Sequence, residues 1–428
     1  MARRSRSRTR TRSKAPPTLQ SLLLLLGLLA MVWLYRNGYF DQLLGSVAEE
    51  LDAGAQRAPE LQDGSTPDAP AGPEPVVPQP AAPLASAPVA EQTIETPALR
   101  GYAGPWYQLY FTKPTYPERA AGRLAGLDET IAADIDAATQ RVDVATFDLD
   151  LPLISEALIR AQQRGLGVRV AVDGENLAAP EVAKLTGDLQ NAGIPVFFDE
   201  REAFMHNKFL VLDGNVVWMG SANLTVNDVY RNNNNMLRIV APELAANYAA
   251  KMDDLMAGTG GTQGDSVLLS PTLSIGGASV VNMFAPDDPI TEEIVARLDA
   301  AEQRIDVLAF AYTSDTIAEA MIRAKQRGLA VHGVMESRNT KGSGSEFQPL
   351  QQAGIDIHTD GNCYIMHNKT IIIDGRTVIT GSFNFTRSAQ VQNDENVLII
   401  DDPSLAARYS EEFERVYQQA LQPTRCGR

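Results

Sequence analysis

His206–Gly214 reads HNKFLVLDG, and His367–Gly375 reads HNKTIIIDG. Each stretch carries a histidine, a lysine two places on, and an Asp-Gly pair after four further residues. Gly220, Ser221 and Asn223 follow the first stretch, and Gly381, Ser382 and Asn384 follow the second at the same offsets. One such triplet arises by accident in a chain this long at a chance of about one per cent. Two copies with matched downstream spacing do not.

The apolar run between lysine and aspartate reads as a β-strand, whose side chains alternate between faces. His206 therefore shares a face with Lys208, and His367 with Lys369. Asp213 and Asp374 fall on the opposite parity, each before a glycine. Asp-Gly after an apolar strand is a hairpin signal, so both aspartates read as turn or scaffold residues. The returning strands VVWMGSAN and TVITGSFN bring Ser221, Asn223, Ser382 and Asn384 back towards the histidines. The pooled groups are two imidazoles, two ammonium groups, two hydroxyls and two amides. That set suits a phosphodiester: lysines and amides hold the non-bridging oxygens, one histidine attacks phosphorus, and the other protonates the leaving oxygen.

The repeat extends beyond the motif. AATQRVDVATF, ALIRAQQRGLGVRV and NAGIPVFF precede the first copy; AAEQRIDVLAF, AMIRAKQRGLAVHG and QAGIDIH precede the second. Apolar spacing predicts helices in ALIRAQQRG and AMIRAKQRG, stopped by Gly165 and Gly328. RVDVATF, GVRVAV, RIDVLAF and LAVHGVM read as short strands. Alternating strands and helices predict a central sheet covered by helices in each half. GTGGTQG, at 258–264, reads as the joint. Two such halves related by a pseudo-two-fold bring equivalent edges together, as in a homodimer.

At 428 residues and 44% apolar content the chain is expected to form more than one domain. Its formal net charge is −16, although the first 36 residues carry only basic charge. The remainder is thus more acidic still, which disfavours broad counterion-driven binding to nucleic acid. Residues 1–18 read as a basic cytoplasmic tail and 19–35, around LLLLLGLLAMVWLY, as a transmembrane anchor with its basic flank inside. A cleaved signal peptide is the rival reading, but YRNGYFDQ offers no small-residue cleavage site. Residues 36–98, rich in Pro, Ala and acids, read as a disordered tether reaching about 40 Å. The first domain is expected over 99–262 and the second over 263–421. Cys363 and Cys426 show neither a disulfide framework nor zinc-ligand spacing, and both are expected to stay as thiols. His332 and His358 read as structural histidines. No clustered ligands point to a metal, and no cofactor is expected.

The doubled H-x-K-x4-D with G-S-x-N resembles the phospholipase D superfamily, which holds phospholipases, cardiolipin synthases and hydrolases, and nucleases. The resemblance covers roughly residues 100–420. It implies an α/β fold of two tandem phospholipase D-like repeats, with one metal-independent site at the pseudo-two-fold and a phosphohistidine intermediate. Carried onto this chain, His206, His367, Lys208, Lys369 and Glu395 are the candidate catalytic residues. Asn223, Asn384, Ser221 and Ser382 are the candidate phosphate-binding residues. Asp213, Asp374 and Asn234 are placed as structural residues near the site. The family's downstream acid is present as Glu395, 13 residues after Ser382, but Asn234 stands at the matching place after Ser221. The histidines are therefore expected to differ, the one with the carboxylate keeping its proton to higher pH. His206 is the expected nucleophile.

The expected activity is hydrolysis of phospholipid head-group phosphodiesters by a body held outside the cytoplasm. The alternatives are an extracytoplasmic nuclease, a phosphatidyl-transferring synthase, and a silent binding module, which two intact motifs argue against. Phospholipid and the membrane are the expected partners, nucleic acid the alternative substrate, and no obligate protein partner is inferred.

Overall fold

The computed structural model describes residues 91–261, 266 and 268–426. The expected basic tail, anchor and most of the tether lie outside the described residues. Among the described residues no helix is long and apolar enough to cross a membrane.

The first half runs β1 (Gln92–Glu95), β2 (Leu99–Ala103), β3 (Tyr107–Thr112), α1 (Leu127–Ala137), β4 (Arg141–Thr146), α2 (Pro152–Gln163), β5 (Gly167–Asp173), α3 (Pro180–Asn191) and β6 (Val196–Asp199). It closes with β7 (Lys208–Leu212), β8 (Val216–Gly220), α4 (Val226–Tyr230), β9 (Asn235–Val240) and α5 (Pro242–Met256). The second half repeats the order as β10 (Thr272–Ile275), β11 (Ala278–Ala285), α6 (Ile290–Ala300), β12 (Arg304–Ala309), α7 (Asp315–Gln326), β13 (Ala330–Met335), α8 (Phe347–Gln352) and β14 (Asp356–Thr359). It ends with β15 (Lys369–Ile373), β16 (Thr377–Gly381), α9 (Arg387–Val391), β17 (Glu395–Asp401) and α10 (Pro403–Leu421). Strand β1 lies ahead of the expected boundary at Leu99: QTIE pairs antiparallel with β2.

Two sheets result, β1-β2-β3-β9-β8-β7-β4-β5-β6 and β10-β11-β17-β16-β15-β12-β13-β14. The repeated helix–strand units dictate this. In α2, Ile154, Ala157, Leu158 and Ala161 make one buried stripe, and Gly165 ends the segment at φ 89°. In α7, Ile317, Met321 and Ala324 do the same, with Ser314 capping the first turn and Gly328 at φ 95° beyond the end. Such helices cover the outer face of each sheet.

The inner faces share one core. Along β7, Phe209 and Val211 point into it while Leu210 and Leu212 point to the outer helices, the two-residue alternation of a strand. Between the sheets lie α5, through Leu244, Tyr248, Met252 and Leu255, and α10, through Leu405, Tyr409, Phe413 and Val416. Each such fully buried side chain contributes roughly 1.5–3 kcal/mol, so the halves are bound along their whole inner faces.

Two expectations are corrected here. Cys363 and Cys426 form a disulfide, not two thiols, tying the C-terminal segment to the loop ahead of His367. Asp213 and Asp374 do lie in turns, but at the far end of β7 and β15 from the histidines. Asp213 accepts from the backbone N–H groups of Thr139, Gln140 and Arg141, and Asp374 from those of Glu302, Gln303 and Arg304. They brace the start of β4 and β12 rather than the site.

Candidate active site

Four backbone hydrogen bonds stitch the two halves together where the motifs begin. His206 N–H donates to Asp394 O at 2.9 Å, and Asp394 N–H to Phe204 O at 2.8 Å. The same exchange recurs across the pseudo-two-fold, His367 N–H to Asn233 O at 2.9 Å and Asn233 N–H to Ile365 O at 2.8 Å. Strands β7 and β15 start at the lysines, so each histidine lies ahead of its strand, directly after a cross-half bridge from Met205 to Asp394 or from Met366 to Asn233. The bridge hands each imidazole to the opposite half. His206 Nδ1 lies 2.7 Å from Glu395 Oε2, and His367 Nδ1 lies 3.0 Å from Asn234 Oδ1.

The serines complete each pairing. Ser221 Oγ donates to Asn234 Oδ1 at 2.8 Å, and Ser382 Oγ to Glu395 Oε2 at 2.6 Å. Both hydroxyls also accept backbone N–H groups, from Asn235 at 3.1 Å and Asn396 at 3.0 Å. So close an approach of β8 to β9 and of β16 to β17 requires glycine before each serine. A Cβ on Gly220 would stand 2.3 Å from Asn235 O, and one on Gly381 2.1 Å from Asn396 O. Ser221 and Ser382 thus orient the groups behind the histidines. Asn223 and Asn384 are half-buried, each with a side-chain oxygen that has no partner among the described residues.

Lys208 and Lys369 are each only 1% exposed, and among the described residues neither makes a salt bridge. Lys208 Nζ donates to His206 O at 2.9 Å and Lys369 Nζ to His367 O at 2.8 Å. Two buried cations without a direct ion pair are costly, even with Asp228 and Glu395 acting on both through space. Burial pushes Lys208 down to about 8, and burial with the neighbouring Lys208 pushes Lys369 well below the ordinary lysine value.

Sequence reasoning passed over three groups. Phe147 and Phe310 stand edge-to-face with His206 and His367, at ring-centre distances of 5.3 and 4.7 Å. Lys208 and Lys369 lie over the same two rings at 5.5 and 4.8 Å. Their signal was in the repeat, as the last residue of RVDVATF and of RIDVLAF. The third is Asp228, whose Oδ1 is 3.6 Å from His367 Nδ1. Its repeat counterpart is Ala389, so self-comparison conceals it.

Burial dominates the electrostatics of both histidines. Burial, followed by Lys208 and Lys369, pushes His206 well below its ordinary value. Burial and Lys369 do the same to His367, with Asp228 pulling upward. Burial also raises Glu395 to about 8 against the pull of Lys208. His332 and His358 lie apart from this cluster, 3.0 Å from Asp306 and 2.8 Å from Asp356 respectively, and both face Tyr417.

The family described as "Cardiolipin synthase, PLD-like domain" matches residues 131–256 and 294–417, more than half the chain. The chain belongs to this phospholipase D family. The chain is similar to a phospholipase D of Rickettsia prowazekii (strain Madrid E), 42% identical over 132 residues, 31% of this chain and 64% of that protein. A mitochondrial cardiolipin hydrolase of Chlamydomonas reinhardtii is 33% identical over 120 residues, 28% of this chain and 54% of its own length. The chain thus spans less than two thirds of the length of these curated relatives. A solved phosphatidylserine synthase of Haemophilus influenzae shares the fold with a TM-score of 0.57 at 16% identity, over 69% of this chain and 86% of that one.

Proposed function

We propose that this phospholipase D family member is a metal-independent phosphodiesterase that hydrolyses phospholipid head-group phosphodiesters. The observation that carries the reading is the pair of buried lysines beside two imidazoles, neither lysine in a salt bridge among the described residues. An anionic phosphodiester supplies a direct counter-charge, and its arrival offsets the lysines' pull on the histidines. His206 Nε2 then attacks phosphorus, forming an N–P bond as the P–O bond to the leaving group breaks. His367 gives that oxygen its proton. A water, deprotonated by His367, next attacks phosphorus, releases phosphatidate and restores both imidazoles. Glu395, accepting from His206 Nδ1–H, supports the positive charge that a phosphorylated imidazole carries. Lys208, Lys369, Asn223 and Asn384 hold the non-bridging oxygens.

Phospholipid is favoured over nucleic acid by the acidic body and by the apolar stretch and tether read in the first residues. The named relatives, a phospholipase D and a cardiolipin hydrolase, are consistent with it. An extracytoplasmic body with an inward basic terminus is part of the same proposal. The disulfide supports it, because such bonds persist in oxidising compartments. Protease added to spheroplasts should release a soluble fragment beginning in the tether; a mature chain starting near Glu49 would refute the anchor.

The full chain, incubated in chelator with labelled cardiolipin, other phospholipids, and single- and double-stranded DNA, tests the substrate. Release of phosphatidate from lipid with DNA intact is expected. Cleavage of DNA alone would replace this reading with the nuclease one, and transfer to an added alcohol in preference to water would make the chain a synthase.

A further inference from the structure

The two halves solve one problem with different residues. His206 has Glu395 directly behind it, from strand β17. His367 has only the neutral Asn234, from the matching place at β9. Yet a carboxylate stands in the equivalent position in both. In the second half Asn393 Nδ2 donates to Glu395 Oε1 at 3.2 Å. In the first half Asn232, the repeat counterpart of Asn393, donates through Nδ2 to Asp228 Oδ1 at 2.6 Å. The same asparagine marks the carboxylate on each side, although one carboxylate comes from a strand and the other from the short helix α4.

The side-chain volumes exchange to match. Glu395 is one methylene longer than an aspartate, and the facing α9 position is Ala389, fully buried. Asn234 is shorter, and the facing α4 position is Asp228, also buried at 2% exposure. Both helix positions receive the same cap, Asp228 N–H on Thr225 Oγ1 and Ala389 N–H on Thr386 Oγ1, each at 3.2 Å. The backbone is therefore common to both halves, and only the source of the charge has moved.

We propose that Asp228 is the positioning carboxylate of His367, acting through the Asn234 amide. The proposal rests on the phosphodiesterase reading of the site. Its core is a donor–acceptor argument. Asn234 Nδ2 donates to Asp228 Oδ1 and to Asp228 O, each at 3.1 Å. An ionised carboxylate and a backbone carbonyl only accept, so they fix which end of the amide is nitrogen. The oxygen must then face Ser221 and His367. An oxygen facing Nδ1 demands an N–H there, in the neutral ring and in the imidazolium alike. His367 is thereby held with Nε2 as the atom that exchanges a proton with the leaving group. A flipped amide would present N–H to Nδ1 and trap the opposite tautomer, with Nε2 already protonated and Nδ1 unable to take a second proton. Asp228 also places a negative charge 3.6 Å from His367 Nδ1, favouring the imidazolium that a general acid needs. Burial pushes the Asp228 carboxyl upward, but His367, the Asn232 amide and the Asn223 N–H together hold it below its ordinary value. It stays charged through neutral pH.

Three variants of the full chain test this. Asp228→Asn keeps the shape and removes the charge; Asp228→Ala removes both. The double variant Asp228→Ala with Asn234→Glu transplants the second half's arrangement into the first. With a chromogenic phosphodiester, Asp228→Asn is expected to lower kcat by about 10–100-fold while KM changes little. The alkaline limb of its pH profile should move to lower pH, because His367 loses its proton more readily. The double variant should recover most of the loss seen in Asp228→Ala. Chain labelled with 15N-histidine supplies a readout independent of turnover, simplified by there being only four histidines. His367 should appear as the Nδ1–H tautomer in the native chain. In Asp228→Asn it should show a lower pKa or a mixture of tautomers. An unchanged His367 titration and tautomer in Asp228→Asn, or a loss of rate at every pH in equal proportion, would overturn the proposal. Absence of turnover in the native chain would count against the phosphodiesterase reading alone, leaving the imidazole spectrum to decide this one.

Discussion

Lys208 shows how a single residue ties burial to function. Its ammonium is pushed down to about 8 by burial, so it loses its charge within a workable pH range. KM for an anionic diester should accordingly climb as pH rises through that region, and Lys208→Arg, whose charge persists, should flatten the climb at the cost of a lower kcat. Steady-state kinetics from pH 6 to pH 10 read both effects. His206→Ala and His367→Ala should each reduce kcat by about 10²–10⁴-fold or more, since attack and leaving-group protonation each need an imidazole. Equal residual activity to the native chain in either variant would remove that histidine from the mechanism. Glu395→Gln keeps an acceptor for His206 Nδ1–H but loses the charge. The phosphorylated His206 ring then lacks its counter-charge, so the maximal rate should fall by about 10–100-fold. A rate that stays native would mean that Glu395 does not act on His206.

At the scale of an element, the hairpin of β7 and β8 carries two glycines with different duties. Gly214, at φ 61°, follows Asp213, at φ 53°, in a two-residue turn, and a Cβ there would meet nothing within 4 Å. Gly214→Ala should therefore cost only the left-handed backbone strain, about 1–2 kcal/mol, and leave kcat intact. Gly220 lies at the opposite end of β8, where a Cβ would be driven into Asn235 O. Gly220→Ala should cost about 1–3 kcal/mol through overpacking. It should also lower kcat, because Ser221 and the Asn234 it orients must shift. Urea unfolding alongside kinetics separates the two. A Gly220→Ala protein with native kcat would show that the serine need not sit where it does.

Across the whole molecule, the site is a property of neither half. His206 takes its carboxylate from the second half and His367 its amide and Asp228 from the first, while α5 and α10 bury the inner faces against each other. Halves expressed separately should be inactive, and mixing His206→Ala with His367→Ala chains should not restore turnover unless they exchange halves. Activity of the full chain should survive chelation, because Lys208 and Lys369 carry the charge that neutralises the phosphate. Loss in chelator, reversed by a divalent ion, would refute that assignment of the charge.

The amino-acid sequence by itself determined the local and the repeated. Two-residue alternation in FLVL and TIII made strands, Asp-Gly made the turns, and the matched helices ending at Gly165 and Gly328 made two copies of one unit. These follow from backbone sterics and apolar periodicity within a few residues, which is why the histidines and lysines that meet in the candidate site were legible. What only the tertiary structure decided were the pairings across distance. Glu395 serves His206 from 189 residues away, and Cys426 reaches Cys363 across 63. No local periodicity encodes such contacts; they are fixed when the inner faces of the two sheets close on α5 and α10. Asp228 escaped notice for the same reason. It faces His367 across the seam beside its own neighbour Asn234, and its place in the second repeat is taken by Ala389. The proton states, too, belong to the assembled site. A carboxylate beside one histidine set the expectation of unequal imidazoles; burial with Lys208 and Lys369, which lowers both, comes only with the assembled site.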